Sequence, residues 1–92
     1  MLLLLGLVLA GCTTAPVQEM SDARQAIQAA ELSGAAEHAP EQFSQAKNLL
    51  ARAQQNLKLR SFDDAREEAL EARARAAEAL LLAEAARQAQ RD

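Results

Sequence analysis

The feature that most constrains the fold is a long series of apolar residues, spaced alternately by three and four, in the last third of the chain. Its members are Phe62, Ala65, Ala69, Ala72, Ala76, Ala79, Ala83 and Ala86. This spacing places one side chain on the same face of an α-helix at every turn, and alanine has the highest helix propensity of all residues. The pattern therefore predicts one long amphipathic helix over residues 62–90.

Two shorter stretches upstream show the same helical periodicity. Residues 19–37 place apolar side chains at three-four intervals, and residues 40–59 do so again. Pro40 separates the two stretches, because proline suits the first turn of a helix but cannot continue one. We therefore expect three helices, over about residues 19–37, 40–59 and 62–90.

The short connection between the second and third helices requires an antiparallel hairpin. The chain is predicted to be all-α, and we favour a short antiparallel bundle of three helices. The alternative is a long bent helical hairpin, in which the first helix runs on from the second through a kink at Pro40. The third helix is the longest, so its last turns overhang the second helix. The leucines Leu80, Leu81 and Leu82 then need a cover, from the first helix or from self-association.

The amino-terminal segment has the features of a bacterial lipoprotein signal peptide. The apolar run Leu2–Ala10 has nine residues, whereas a helix needs about 20 to span a membrane. The run ends in a lipobox, which consists of Leu9, Ala10, Gly11 and Cys12. Cleavage before the cysteine would make residues 1–11 the signal peptide and residues 12–18 a lipidated cysteine followed by a polar tether.

Acylation of Cys12 would hold the protein on a membrane. Its thiol would carry diacylglycerol and its freed amine a third acyl chain such as palmitate, and two or more chains anchor firmly. Thr13 stands where an aspartate would favour the inner membrane, so we expect the periplasmic face of the outer membrane. No Lys or Arg precedes the apolar run. This leaves open a start further upstream. The alternatives to the lipobox interpretation are an ordinary signal peptide and an apolar helix with an incidental cysteine.

Charge and composition argue against several classes of function. The formal net charge is −3 with both signs mixed along the chain, so there is no basic block to hold nucleic acid. His38 is the only histidine and Cys12 the only cysteine, which is too few for a zinc site. No serine has a plausible general base near it. We expect no enzyme activity, no cofactor and no metal.

Function then depends on partners. The leading interpretation is a structural or adaptor lipoprotein that contacts the membrane through Cys12. Its helical domain would bind a periplasmic protein, or a second copy, through Leu80, Leu81 and Leu82. The alternative is non-covalent binding to peptidoglycan through exposed arginines of the third helix, namely Arg73, Arg75 and Arg87.

Several short motifs occur in an order that resembles one known family. They are Asp22-Ala23-Arg24-x-Ala26-Ile27, Ser33-Gly34-Ala35-Ala36 leading to Ala39-Pro40, Phe43-x-x-Ala46-x-x-Leu49-Leu50-x-x-Ala53, and Phe62-Asp63-Asp64-Ala65-Arg66. Together they resemble the domain-of-unknown-function 4398 family of small proteobacterial lipoproteins over nearly all of the mature chain. The resemblance implies an envelope lipoprotein with a helical domain. Related chains are sometimes fused to a peptidoglycan-binding domain of the outer membrane protein A type. The family supplies no catalytic residues.

Overall fold

A computed structural model describes residues 14–91, and every regular element in that range is an α-helix. In chain order the helices are α1 (Val17–Leu32), α2 (Ala35–His38), α3 (Pro40–Lys58) and α4 (Phe62–Arg91). The three long helices pack against one another, so the predicted all-α bundle of three helices is confirmed. A long bent hairpin does not form, because α1 folds back beside α3 and α4.

Polar contacts show the directions of the helices. Glu19 near the start of α1 lies 3.5 Å from Arg66 near the start of α4, and Arg87 near the end of α4 donates to the carbonyl of Ser33, directly after α1. The amide of Asn56, near the end of α3, donates to Glu68 in the first turns of α4 at 2.7 Å. Thus α1 runs parallel to α4, and both are antiparallel to α3.

The core is built mainly from alanine. The side of α4 that faces the other helices buries Ala65, Ala69, Ala72, Ala76, Ala79 and Ala83. Larger side chains come from the opposing helices, where α1 buries Met20 and Ile27 and α3 buries Phe43. These are positions that the three-four pattern predicts. Small side chains let helix axes approach to the lower end of the usual range of about 8–10 Å.

The helix predicted over residues 19–37 is two helices. Gly34 adopts φ +87°, and its N–H bonds to the carbonyl of Glu31, so α1 ends at Leu32. A left-handed backbone is strained for every residue with a Cβ, and a Cβ on Gly34 would also lie 3.3 Å from Cδ2 of His38. The turn redirects the chain, so that α2 lies against the far end of α4 and Ala35 is buried there.

The turn between α3 and α4 uses the same backbone geometry without glycine. Arg60 has φ +62°; its N–H bonds to the carbonyl of Leu57, and that of Ser61 bonds to the carbonyl of Asn56. These two bonds form a Schellman motif, which usually places glycine at the left-handed position. The guanidinium of Arg60 lies over the ring of Phe62, 5.4 Å from its centroid.

The folded domain begins earlier than the sequence predicts. Val17 and Gln18, assigned to the tether of residues 12–18, lie in α1, and Pro16 directly before the helix is buried. The predicted tether therefore extends too far into the domain. The predicted signal peptide, residues 1–11, and Cys12 lie outside the described residues.

Candidate interaction surface

The predicted lipidation site, Cys12, and the lipobox residues Leu9, Ala10 and Gly11 lie outside the part of the chain that the structure describes. The first described residue, Thr14, is held at the start of α4, because Arg66 donates a 2.8 Å hydrogen bond to its carbonyl. Arg66 also lies 3.6 Å from Asp63 on its own helix. The chain therefore enters the bundle beside the α3–α4 turn, at the end opposite α2.

The three leucines predicted to pack on a partner do not form one patch. Successive residues of a helix differ in direction by about 100°. Leu80 is half-buried against the core cluster that contains Ile27 and Phe43. Leu81 remains 65% exposed on the outer face, and Leu82 is 42% exposed. The bundle thus covers the first leucine and leaves the other two accessible.

The predicted overhang of α4 is shorter than expected. α2 packs against α4, and Ala35 and Ala39 belong to the same buried cluster as Ala79 and Ala83. Arg87 reaches back to the carbonyl of Ser33 at 3.4 Å. Only beyond this contact do the described residues of α4, positions 88–91, become exposed on all sides.

The outer face of α4 carries a second apolar series, which we call the outer stripe and define as Leu70, Ala74, Ala77 and Leu81. All four residues are exposed, with Leu70 at 48%. Their spacing of four, three and four residues is that of a coiled-coil seam, and the stripe extends about 16 Å along the helix at 1.5 Å per residue. Leu70, which the sequence reasoning missed, therefore belongs with Leu81 rather than Leu82.

The other two long helices expose mainly polar residues between their ends, although α1 exposes Val17 and Leu32 at its two termini. Arg24, Gln28 and Glu31 are exposed on α1. On α3 the exposed positions include Ser44, Gln45, Lys47, Asn48, Gln54 and Gln55. Among the helices described here, only α4 exposes two leucines on one face. Isolated exposed leucines are common on protein surfaces, but Leu70 and Leu81 are joined by alanines at four-three-four spacing into one apolar stripe, as on a helix-packing surface.

Charged residues flank the outer stripe with opposite signs. The side nearer α1 carries Arg66 and Arg73, and the other side carries Glu71 and Glu78. Arg73 lies 3.8 Å from Asp22 and is 58% exposed, whereas Glu78 lies 3.0 Å from Arg75 and is 46% exposed. Exposed ion pairs of this kind contribute about 0–1 kcal/mol. Both charges therefore remain available to a partner.

The arginines considered for peptidoglycan already have contacts within the bundle. Arg73 pairs with Asp22, and Arg75 pairs with Glu78. Arg87 donates to the carbonyl of Ser33. The three side chains therefore lie beside three different neighbours and do not converge on one cationic pocket.

Of the acidic residues in the first turns of α4, Glu68 contacts α3. Glu68 accepts a hydrogen bond from Asn56, and Arg52 lies 3.9 Å from its other oxygen. His38 is near Glu37 at 3.9 Å. Within residues 14–91, no three His, Cys, Asp or Glu side chains are grouped so as to hold a metal ion. No described helix is long and apolar enough to cross a membrane.

A comparison with known families gives a match over most of the chain. Residues 18–92 match the sequence model of the family described as Domain of unknown function (DUF4398). The matched range contains all of α3 and α4 and nearly all of α1. No curated protein matches the chain, and no solved structure matches it.

Proposed function

The chain belongs to the DUF4398 family, and we propose that it is a cell-envelope lipoprotein, anchored at the periplasmic face of the outer membrane, with a helical adaptor domain rather than an enzyme. The lipobox that ends in Cys12 supports the anchor. The outer stripe of α4 is the observation that carries the adaptor role, because it offers a partner a helix-packing surface.

The position of the chain's entry into the bundle supports this arrangement. Thr14 is bonded to Arg66, and Pro16 is buried. An acylated Cys12 would therefore precede the first bundle contact by only two residues. With so short a connection, the α3–α4 turn would face the membrane. α4 would then project its outer stripe away from the membrane surface.

The anchor is tested by metabolic labelling of the full chain with a palmitate analogue in a Gram-negative host. We expect the parent chain to incorporate the label and to fractionate with outer membranes. A Cys12→Ser variant should lose both properties, while Thr13→Ser, a matched change at the next residue, should keep the label. Equal labelling of the parent chain and the Cys12→Ser variant would refute lipidation at this residue.

Binding to peptidoglycan is the alternative, and the separation of Arg73, Arg75 and Arg87 along and around α4 favours it less. It is tested by sedimentation of the full chain with purified sacculi in mild detergent. Under the adaptor proposal the chain stays in the supernatant at physiological salt. Saturable pelleting that Arg73→Gln, Arg75→Gln or Arg87→Gln weakens would support the cell-wall alternative instead.

A further inference from the structure

We propose that the outer stripe of α4 binds the outer stripe of a second copy of this chain, with the two α4 helices parallel and side by side. The stripe has the spacing of a coiled-coil seam, in which Leu70 and Ala77 take d positions and Ala74 and Leu81 take a positions. In a parallel pair each of these residues meets its own counterpart.

The flanking charges select the parallel direction. In a parallel coiled coil, a g position on one helix faces the e position five residues further along on the other. On this seam Arg66 and Arg73 occupy g, and Glu71 and Glu78 occupy e. Arg73 therefore faces Glu78 of the second copy, and Arg66 faces Glu71, with each pair formed twice by symmetry.

An antiparallel pair would place like charges together. In that direction e positions face e positions, so the glutamates Glu71 and Glu78 of the two copies would lie on one shared edge. Like charges across an interface oppose association. The charge pattern is thus complementary to a second copy in one direction only.

The monomer leaves the required groups free to exchange partners. Arg73 keeps more than half of its side chain exposed while it lies near Asp22. Glu78 can accept a second cation while it remains beside Arg75, because a carboxylate has two oxygens. Arg66 is more occupied, by Glu19 and Asp63. The Arg73–Glu78 pair is therefore the main electrostatic contact.

The contact is short, which makes it weak in dilute solution. Glu67 and Glu84 occupy the next seam positions on either side, so the apolar part covers about two heptads. The surface area that two heptads of small side chains can bury is below the range of about 1,200–2,000 Å² that stable interfaces bury. Anchoring two copies in one membrane would raise their effective concentration and would orient both in the same direction. Only this gain in concentration rests on the proposed function.

The pairing is tested by oxidative crosslinking of the full chain in bacterial cells. Glu67→Cys and Glu84→Cys each place a thiol on the seam and leave the stripe intact. Because disulfides need Cα atoms within about 7 Å, each variant alone should give a dimer bridged through the introduced cysteine. Ala51→Cys on the outer face of α3 is the control and should give none, as should the parent chain.

Two further sets of variants test the seam and its charges. Leu70→Gln with Leu81→Gln should reduce the crosslinked fraction by about tenfold or more, because it removes the apolar contact from both copies. Arg73→Glu should reduce it by about threefold to tenfold, and adding Glu78→Arg should restore it. Asp22→Asn removes the negative charge beside Arg73 in the monomer. It should leave the crosslinked fraction within about twofold of the parent value.

The outcomes separate this proposal from the lipid anchor. Crosslinking through positions 67 and 84 in both the parent and the Cys12→Ser background supports the pair even if lipidation is refuted. Crosslinking through these positions that occurs in the parent background but not in the Cys12→Ser background supports both the pair and the lipid anchor. A dimer that appears only when the two variants are mixed would show an antiparallel pair and overturn the proposal. No crosslink in either background would also overturn it and would leave the stripe to a different protein helix.

Discussion

The two faces of α4 share one spacing and differ in size and exposure. The inner face presents six alanines that are fully buried against α1 and α3. The outer stripe also follows three-four spacing, but it places leucines at its ends and remains exposed. Small residues suit the inner face, because two helices must approach it closely. Spacing therefore identifies a packing surface, whereas side-chain volume indicates which surface the chain itself covers.

The largest expected effect comes from removing the main side chain that opposes the inner face. Phe43 belongs to the buried cluster that contains Ala76, Ala79 and Ala83. Phe43→Ala should lower the free energy of unfolding by about 3–5 kcal/mol, measured by urea denaturation. Phe62 is only half-buried, so Phe62→Ala is the control and should lower the free energy of unfolding by less. Equal losses for the two phenylalanines would contradict the assignment of the core.

A pair of neighbouring alanines tests the two faces directly. Ala76 is fully buried, whereas Ala77 is exposed on the outer stripe. Ala76→Leu should cost about 1–3 kcal/mol, because added volume separates α4 from its neighbours. Ala77→Leu should leave the thermal midpoint nearly unchanged and should strengthen the proposed pairing of α4 helices. If both leucines were tolerated equally, the inner face would be less tightly packed than described.

Substitutions in the two turns that position the inner face should change stability in opposite directions. Gly34→Ala places a Cβ on a residue with left-handed backbone geometry and should lower the free energy of unfolding by about 1–2 kcal/mol. Arg60→Gly relieves the same strain but removes the contact with Phe62. We expect a net gain below about 1 kcal/mol. Calorimetric melting of both variants checks the signs, and a clear loss for Arg60→Gly would show that the cation–ring contact outweighs the strain.

The smallest effect is expected at the boundary between the two faces, where Arg73 lies near Asp22. Asp22→Asn should change the free energy of unfolding by at most about 1 kcal/mol, because Arg73 is exposed and Asp22 is only partly buried. High salt should reduce this difference further. Denaturation in low and high salt provides the measurement. A larger, salt-independent loss would mean that the pair is effectively desolvated.

The sequence predicted what depends on local periodicity. The hairpin of α3 and α4 and the buried positions of each long helix follow from three-four spacing. The break at Gly34 is not predicted, because a glycine within a helical pattern can either be tolerated there or end the helix in the left-handed conformation. Leu70 was missed because Leu80, Leu81 and Leu82 were grouped by adjacency rather than by direction around the helix. The lipid on Cys12 remains a prediction.

The position of Thr14 has a mechanical consequence. The chain enters the bundle at the start of α4, and the last described residue of α4, Arg91, lies at the opposite end. One continuous helix of 30 residues therefore spans the whole bundle, a length of about 45 Å at 1.5 Å per residue. The distance from the entry of the chain to the opposite end of the bundle is therefore set by the hydrogen bonds of α4 alone. Local fraying of α1 would weaken the packing beside α4 but would not shorten that distance.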